Sequence, residues 1–118
     1  MDYFSLLHNN DEKNLNNYIE KQGVNSEVQG YSLLYWAVFK NNIIFTRQLI
    51  EQGAEINKKD DLNRSVLSVA CYYGFYEILK LLIESGAEID DACFKRAQRG
   101  WDGHQQFEII ELLSKVKK

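Results

Sequence analysis

Apolar residues recur along the chain in short runs at helical spacing. Leu67, Ala70 and Cys71 stand at i, i+3 and i+4 before Gly74; Ile78, Leu79, Leu82 and Ile83 repeat that spacing up to Gly86. Residues three and four apart share one helix face, so this stretch predicts a short first helix and a second helix, each closed by a glycine. Ahead of it the periodicity is lost. The run from Asn57 to Arg64 is polar and rich in turn formers, which predicts a projecting loop. Ser65 follows as the expected N-cap of the first helix, its hydroxyl accepting from an otherwise unpaired backbone N–H.

The same unit stands one period earlier. Shifted by 33 residues, Gly53-Ala54-Glu55-Ile56-Asn57 falls on Gly86-Ala87-Glu88-Ile89-Asp90, and Leu49-Ile50-Glu51 on Leu82-Ile83-Glu84. Ser32, Leu34 and Ala37 fall on Ser65, Leu67 and Ala70, giving ten identities in 28 positions between 30–57 and 63–90. A period of this length is the mark of stacked repeats, each burying its apolar face on its neighbours. The pattern resembles the ankyrin repeat. Ser65-Val66-Leu67-Ser68 and Ser32-Leu33-Leu34-Tyr35 stand where that family has Thr-Pro-Leu-His, and Ala70-Cys71 and Ala37-Val38 stand in place of Ala-Ala. The chain departs from the family in having no proline and in lacking the histidine that ties the inner helix to the loop. Looser loops and lower stability are expected from both losses.

The flanks read as degraded copies. Phe4 and Leu7 match Leu34 and Ala37; Leu15, Tyr18 and Ile19 form a second-helix face; Gly23-Val24-Asn25 is a shortened closing turn. Polar Asn9, Asn10, Asp11, Glu12, Asn14, Asn16 and Asn17 suit an N-terminal cap. At the other end Phe94 and Ala97 match Leu67 and Ala70, and Ile109, Leu112 and Leu113 match Ile78, Leu81 and Leu82. Asp90-Asp91 runs straight into a helix as an N-cap, and an extra Gly100-Trp101-Asp102-Gly103-His104 separates the last two helices. Packing alone gives no reason for that insertion. Lys115, Lys117 and Lys118 suit a helix C-terminus. The fold class expected is all-α: an ankyrin-repeat α-solenoid of about four helix-turn-helix repeats, two full and two capping, with short projecting β-turn loops. The repeats fall at approximately 1–26, 27–59, 60–91 and 92–118 of a single domain.

Composition narrows the function without naming it. The 118 residues are 45% apolar and 26% charged, with 14 Lys+Arg against 17 Asp+Glu. Such a balance argues against intrinsic disorder, and a net charge of −3 argues against a nucleic-acid binder. The longest apolar run, Leu33 to Phe39, is far short of a membrane helix, and the first residues lack the basic start of a secretory signal. Cys71 and Cys93 do not make a disulfide scaffold, so a reducing, cytoplasmic location is expected; on its own the chain is expected to be a monomer. Catalysis and cofactors are not expected. His104 and Glu108 are four apart and would share a helix face, but zinc needs further ligands; there is no glycine-rich phosphate loop, Cys-x-x-Cys or nucleophile elbow.

The resemblance implies binding of another protein through the loop tips and the exposed ends of the first helices, on the concave side. Carried over by position, these are Val28, Gln29, Tyr31, Phe39 and Lys40 in one unit and Asp61, Leu62, Arg64, Tyr72 and Tyr73 in the next. Arg99 and Trp101 join from the last copy, Asn9 and Asn10 from the first. Tyr31, Phe39, Tyr72 and Tyr73 would form an aromatic row of the residue types that dominate interfaces, or pack in part between helices. Trp101 is either an interface residue or a lid on the last repeat. Trp36 is expected in the core, Cys71 as a structural thiol, and Cys93, at a helix start, as a structural or a reactive one. Asn, Lys and Ile occur ten times each against four Arg, which suggests a low-GC genome. With a short chain that carries no second module, this leads to one specific expectation: a bacterial immunity protein that covers a cognate toxin. The alternative is a general ankyrin adaptor or effector on a host or cellular protein. A third reading, a redox accessory, would use Cys71 or Cys93.

Overall fold

The computed structural model describes residues 2–116. Among them lie eight helices and one short hairpin: α1 (Tyr3–Asn9), α2 (Glu12–Gln22), β1 (Glu27–Val28), β2 (Tyr31–Ser32), α3 (Leu33–Phe39), α4 (Ile43–Glu51), α5 (Val66–Tyr73), α6 (Tyr76–Glu84), α7 (Asp91–Gln98) and α8 (Phe107–Val116). The helices come as four pairs, a first helix of seven or eight residues before a second of nine to eleven. Helices this short are marginal alone in water, so packing of their apolar stripes holds them. This is the all-α helix-pair architecture that the 33-residue period predicts.

Polar side chains start the helices where the sequence places them. Ser32 accepts from the N–H of Tyr35, Ser65 from that of Ser68, and Asp90 from that of Cys93. Ser68, standing in the place of the family's histidine, donates its hydroxyl to the Ser65 carbonyl at 2.7 Å. The helix start is thus tied locally by two bonds, both donated by Ser68 and accepted by Ser65. Gly74, at φ 75°, closes α5 in the left-handed conformation.

The chain divides between Glu55 and Ile56 into two compact units. In the first, Leu6, Leu15, Leu33, Leu34, Phe45 and Leu49 form the core. Tyr3 is buried with them and donates its hydroxyl to the Leu33 carbonyl at 2.6 Å; burial pushes its pKa up. Asn42 joins α1 to α4: its amide donates to Leu7 O and Asn10 Oδ1, while its own Oδ1 caps Phe45 N–H. The Asn25 side chain accepts from Glu55 N–H and pins the closing turn.

In the second unit the core is Leu67, Ala70, Ile78, Leu79, Leu82, Ala97, Ile109 and Leu113, with Cys71 and Cys93. Asn57 takes the part of Asn25, accepting from Glu88 N–H at 2.7 Å and donating to Gly86 O. Three expectations change here. The 100–104 insertion packs closely on α5: Gly100 is buried, and a Cβ there would stand 2.8 Å from the Tyr72 carbonyl oxygen. His104 lies ahead of α8 and contacts Asp102 instead, so it shares no helix face with Glu108. Cys93 is fully buried, which favours the structural over the reactive reading even though the hydrogen bond from Cys71 holds its pKa below the usual thiol value. Cys71 and Cys93 are free thiols; the hydrogen bond that Cys71 donates to Cys93, together with burial, pushes the Cys71 pKa up. Lys115 pairs with Glu111 across an exposed turn of α8, while Lys117 and Lys118 lie outside the described residues.

Candidate protein-binding surface

The first unit carries a short hairpin finger. Val28 pairs with Tyr31 and Glu27 with Ser32, and the two turn residues, Gln29 at φ 51° and Gly30 at φ 84°, are both left-handed. Two left-handed residues match the twist of the flanking strands, so a two-residue turn suffices. Trp36 rivets the finger to α3, its indole N–H donating to Val28 O at 2.8 Å. Tyr31, Tyr35 and Phe39, four residues apart, stack in a ladder with centroids 4.4 and 5.9 Å apart and planes within 20° of parallel. Trp36 meets each of the three edge-on, and Phe4 of α1 as well.

A groove of about 800 Å³ opens beside this ladder. Its floor is apolar: Phe4, Leu7, Trp36, Ile43 and Ile44. His8, Gln29 and Lys40 stand on the rim, with the amides of Asn10, Asn41 and Asn42 between them. Among the described residues, no carboxylate lines it. The Lys40 ammonium lies 5.6 Å from the centre of the Phe39 ring and forms no ion pair with any described residue.

The second unit has its own loop tip. Asp60 organises the 57–64 loop, accepting from Leu62 N–H, Arg64 N–H and Arg64 Nε–H, each at 2.8 or 2.9 Å. Burial alone raises the Asp60 pKa, but the Arg64 backbone, side chain and charge, with Leu62 N–H, outweigh it and hold it below the usual carboxylate value. A depressed folded-state pKa stabilises above the unfolded value near 3.9 and is lost as pH falls through the folded one. Asp60→Ala should therefore cost about 1–2 kcal/mol in urea melts at pH 7 and progressively less below about pH 4. A pH-independent cost would remove the carboxylate from this role.

Of the residues expected to bind a partner, Gln29, Lys40, Asp61 and Arg99 are exposed. Leu62 and Trp101 stand out, at 69% and 60%. Trp101 is only half the lid considered above: its backbone N–H folds back on Tyr72 O at 2.9 Å, while its indole faces solvent. Arg64 is turned onto Asp60 at 2.8 Å. Val28 is half-buried and gives its carbonyl to Trp36. Tyr31, Phe39, Tyr72 and Tyr73 are all half-buried, so none is a free ring. Tyr72 meets Tyr73 edge-on and lies under the Arg96 guanidinium, and Tyr73 stacks on Phe75. Trp36 is half-buried too, not fully core. Asn9 and Asn10 are exposed at the end of α1.

Sequence reasoning missed Tyr35 and the groove. The i, i+4, i+8 spacing of Tyr31, Tyr35 and Phe39 was the available signal for the ladder. Among the described residues no three His, Cys, Asp or Glu side chains are placed to hold a metal, and no helix is long and apolar enough to cross a membrane.

Residues 4–93 match the family described as ankyrin repeats (3 copies). Mouse protein phosphatase 1 regulatory subunit 27 is 33% identical over 63 residues, 53% of this chain and 41% of that protein. The serine/threonine-protein kinase VIK of Arabidopsis thaliana is 28% identical over 103 residues, 80% of this chain and 22% of the kinase. Mouse NF-kappa-B inhibitor delta is 36% identical over 64 residues, 54% of this chain and 20% of that protein. This chain belongs to the ankyrin-repeat family, whose repeats bind other proteins and are generally non-enzymatic. It spans between about a fifth and two fifths of the length of these curated relatives.

Proposed function

We propose that this chain is a non-catalytic binding module that regulates a partner protein by covering part of its surface. The observation that carries this reading is the stacked Tyr31–Tyr35–Phe39 ladder beside an open groove with an apolar floor. Rings already locked against one another lose little rotamer entropy when a partner covers them, which is how aromatic residues become binding hot spots. Two of the similar proteins are named a regulatory subunit and an inhibitor, which supports regulation by occupancy over a purely structural role. Within this reading the finer role is neutralisation of a cognate bacterial toxin by steric occlusion, with the cytoplasm as site of action; the alternative is an adaptor or effector on a host or cellular protein.

The experiment is a tagged pull-down with quantified binding, comparing wild type with Tyr31→Ala/Phe39→Ala in the first unit and Leu62→Asp in the second. The Ala pair is expected to lose a stoichiometric partner while retaining helical circular dichroism. Leu62, being exposed, gives a variant whose fold is not at risk. A partner that is lethal when expressed alone and harmless with this chain establishes the immunity role. A non-toxic partner establishes the adaptor role. Undiminished binding by both variants overturns the surface assignment.

A further inference from the structure

We infer that the first unit's groove is a docking slot for an extended segment of the partner that carries a bulky apolar side chain with an Asp or Glu within a few residues of it. The inference rests on the protein-binding reading above and specifies the chemistry of what binds. Two features of the groove select this occupant. Its floor, made by Phe4, Trp36, Ile43 and Ile44, gives an apolar side chain somewhere to leave water, and Ile44 is itself 42% exposed there. Among the described residues, its rim carries only cationic or neutral groups, Lys40 and His8 among them, and no described carboxylate pairs with Lys40.

The absence of acid from this rim runs against the local composition. Up to Glu55 the chain carries seven Asp and Glu against four Lys and Arg. The nearest of them in sequence, Asp11, follows the rim residue Asn10 but is engaged as the N-cap of α2, accepting from Asn14 N–H and Asn14 Nδ2. At physiological salt a charge is screened beyond about 8 Å, so of the groups that line the groove Lys40 is the one whose charge a carboxylate there meets at short range. An occupant with a basic residue would meet Lys40 with like charge, and one without apolar weight would leave the floor wet. Nucleic acid is disfavoured because one lysine and one histidine offer too few phosphate contacts.

The test uses the full chain, isotope-labelled, and short unstructured peptides of Gly and Ser carrying one Leu and one Glu two residues apart, with matched Gln and Lys versions. Addition of the Leu–Glu peptide is expected to shift the Trp36 indole N–H and the backbone signals of Asn41 to Ile44 in a saturable way. The Gln version should bind about fivefold more weakly, the effect of one partly exposed ion pair, and the difference should shrink in high salt. Lys40→Glu should invert the order so that the Lys version binds better than the Glu version. Ile44→Ser, a second exposed position, should weaken all three versions alike. Equal binding of all versions to wild type, an unchanged order in Lys40→Glu, or shifts from self-association of this chain without peptide would each overturn the inference. If the pull-down partner is lost by Tyr31→Ala/Phe39→Ala yet kept by both Lys40→Glu and Ile44→Ser, the slot fails while the binding reading stands. If all variants keep the partner, both fail.

Discussion

Phe45→Ala is expected to lower stability by about 3–5 kcal/mol, the largest effect of any single side-chain truncation in the first unit. Phe45 is the largest apolar side chain buried without a polar atom there, and none of its surface reaches solvent. Its ring lies 6.2 Å from that of Tyr3, which in turn holds the Leu33 carbonyl, so one truncation loosens contacts among α1, α3 and α4 together. The backbone around it cannot collapse to refill the space, because Asn42 fixes the start of α4 both to Phe45 N–H and to the end of α1. A chain of this size has about 5–15 kcal/mol in total, so the loss consumes a large share of it. In urea the midpoint should fall by about 2 M with little change in slope, since the mutation removes packing without changing the surface exposed on unfolding. A fall worth less than about 1 kcal/mol would mean that the site repacks and that Phe45 is not central to the core.

Much of this was legible in the chain. The 33-residue shift that superimposes Leu49 on Leu82 also puts Phe45 on Ile78, and all four are fully buried. Ser32, Ser65 and Asp90 announce helix starts because a cap depends on one side chain and its own next turn, which is local information. The surface was harder to read. Position in the repeat placed Tyr31 and Phe39 at the finger and the end of α3, but their stacking through Tyr35 depends on where the β1–β2 hairpin is pinned by Trp36. That pin is a contact eight residues away in sequence and carries no periodic signal. Arg64 reads as a free cation in the sequence and becomes a loop strut only because Asp60 folds back under it. The groove combines α1, a finger and a helix start, and no single segment reveals such a combination.

The second large effect concerns the insertion between α7 and α8, for which packing alone, read from the sequence, offers no reason. Gly100→Ala is expected to destabilise the second unit by about 1–3 kcal/mol through overpacking. The added methyl would meet the Tyr72 carbonyl oxygen at 2.8 Å and also the Gln106 side chain. Gln106 could swing aside, but the carbonyl is held from both sides, being part of α5 and accepting the Trp101 N–H. The turn cannot move away cheaply either, because Gly100 N–H donates to His104 O and Gly100 O accepts from Gly103 N–H. Gly103 provides the contrast that separates clash from backbone strain. It sits at φ 79° with open space around its Cα, so Gly103→Ala should cost about 1 kcal/mol from the left-handed backbone alone. Asn tolerates that conformation, so Gly103→Asn should recover most of the loss, whereas Gly100→Asn should be no better than Gly100→Ala. The four variants can be ranked by urea unfolding. If Asn rescues both positions, the cost at Gly100 is conformational, and the close approach to Tyr72 is not what holds the insertion in place.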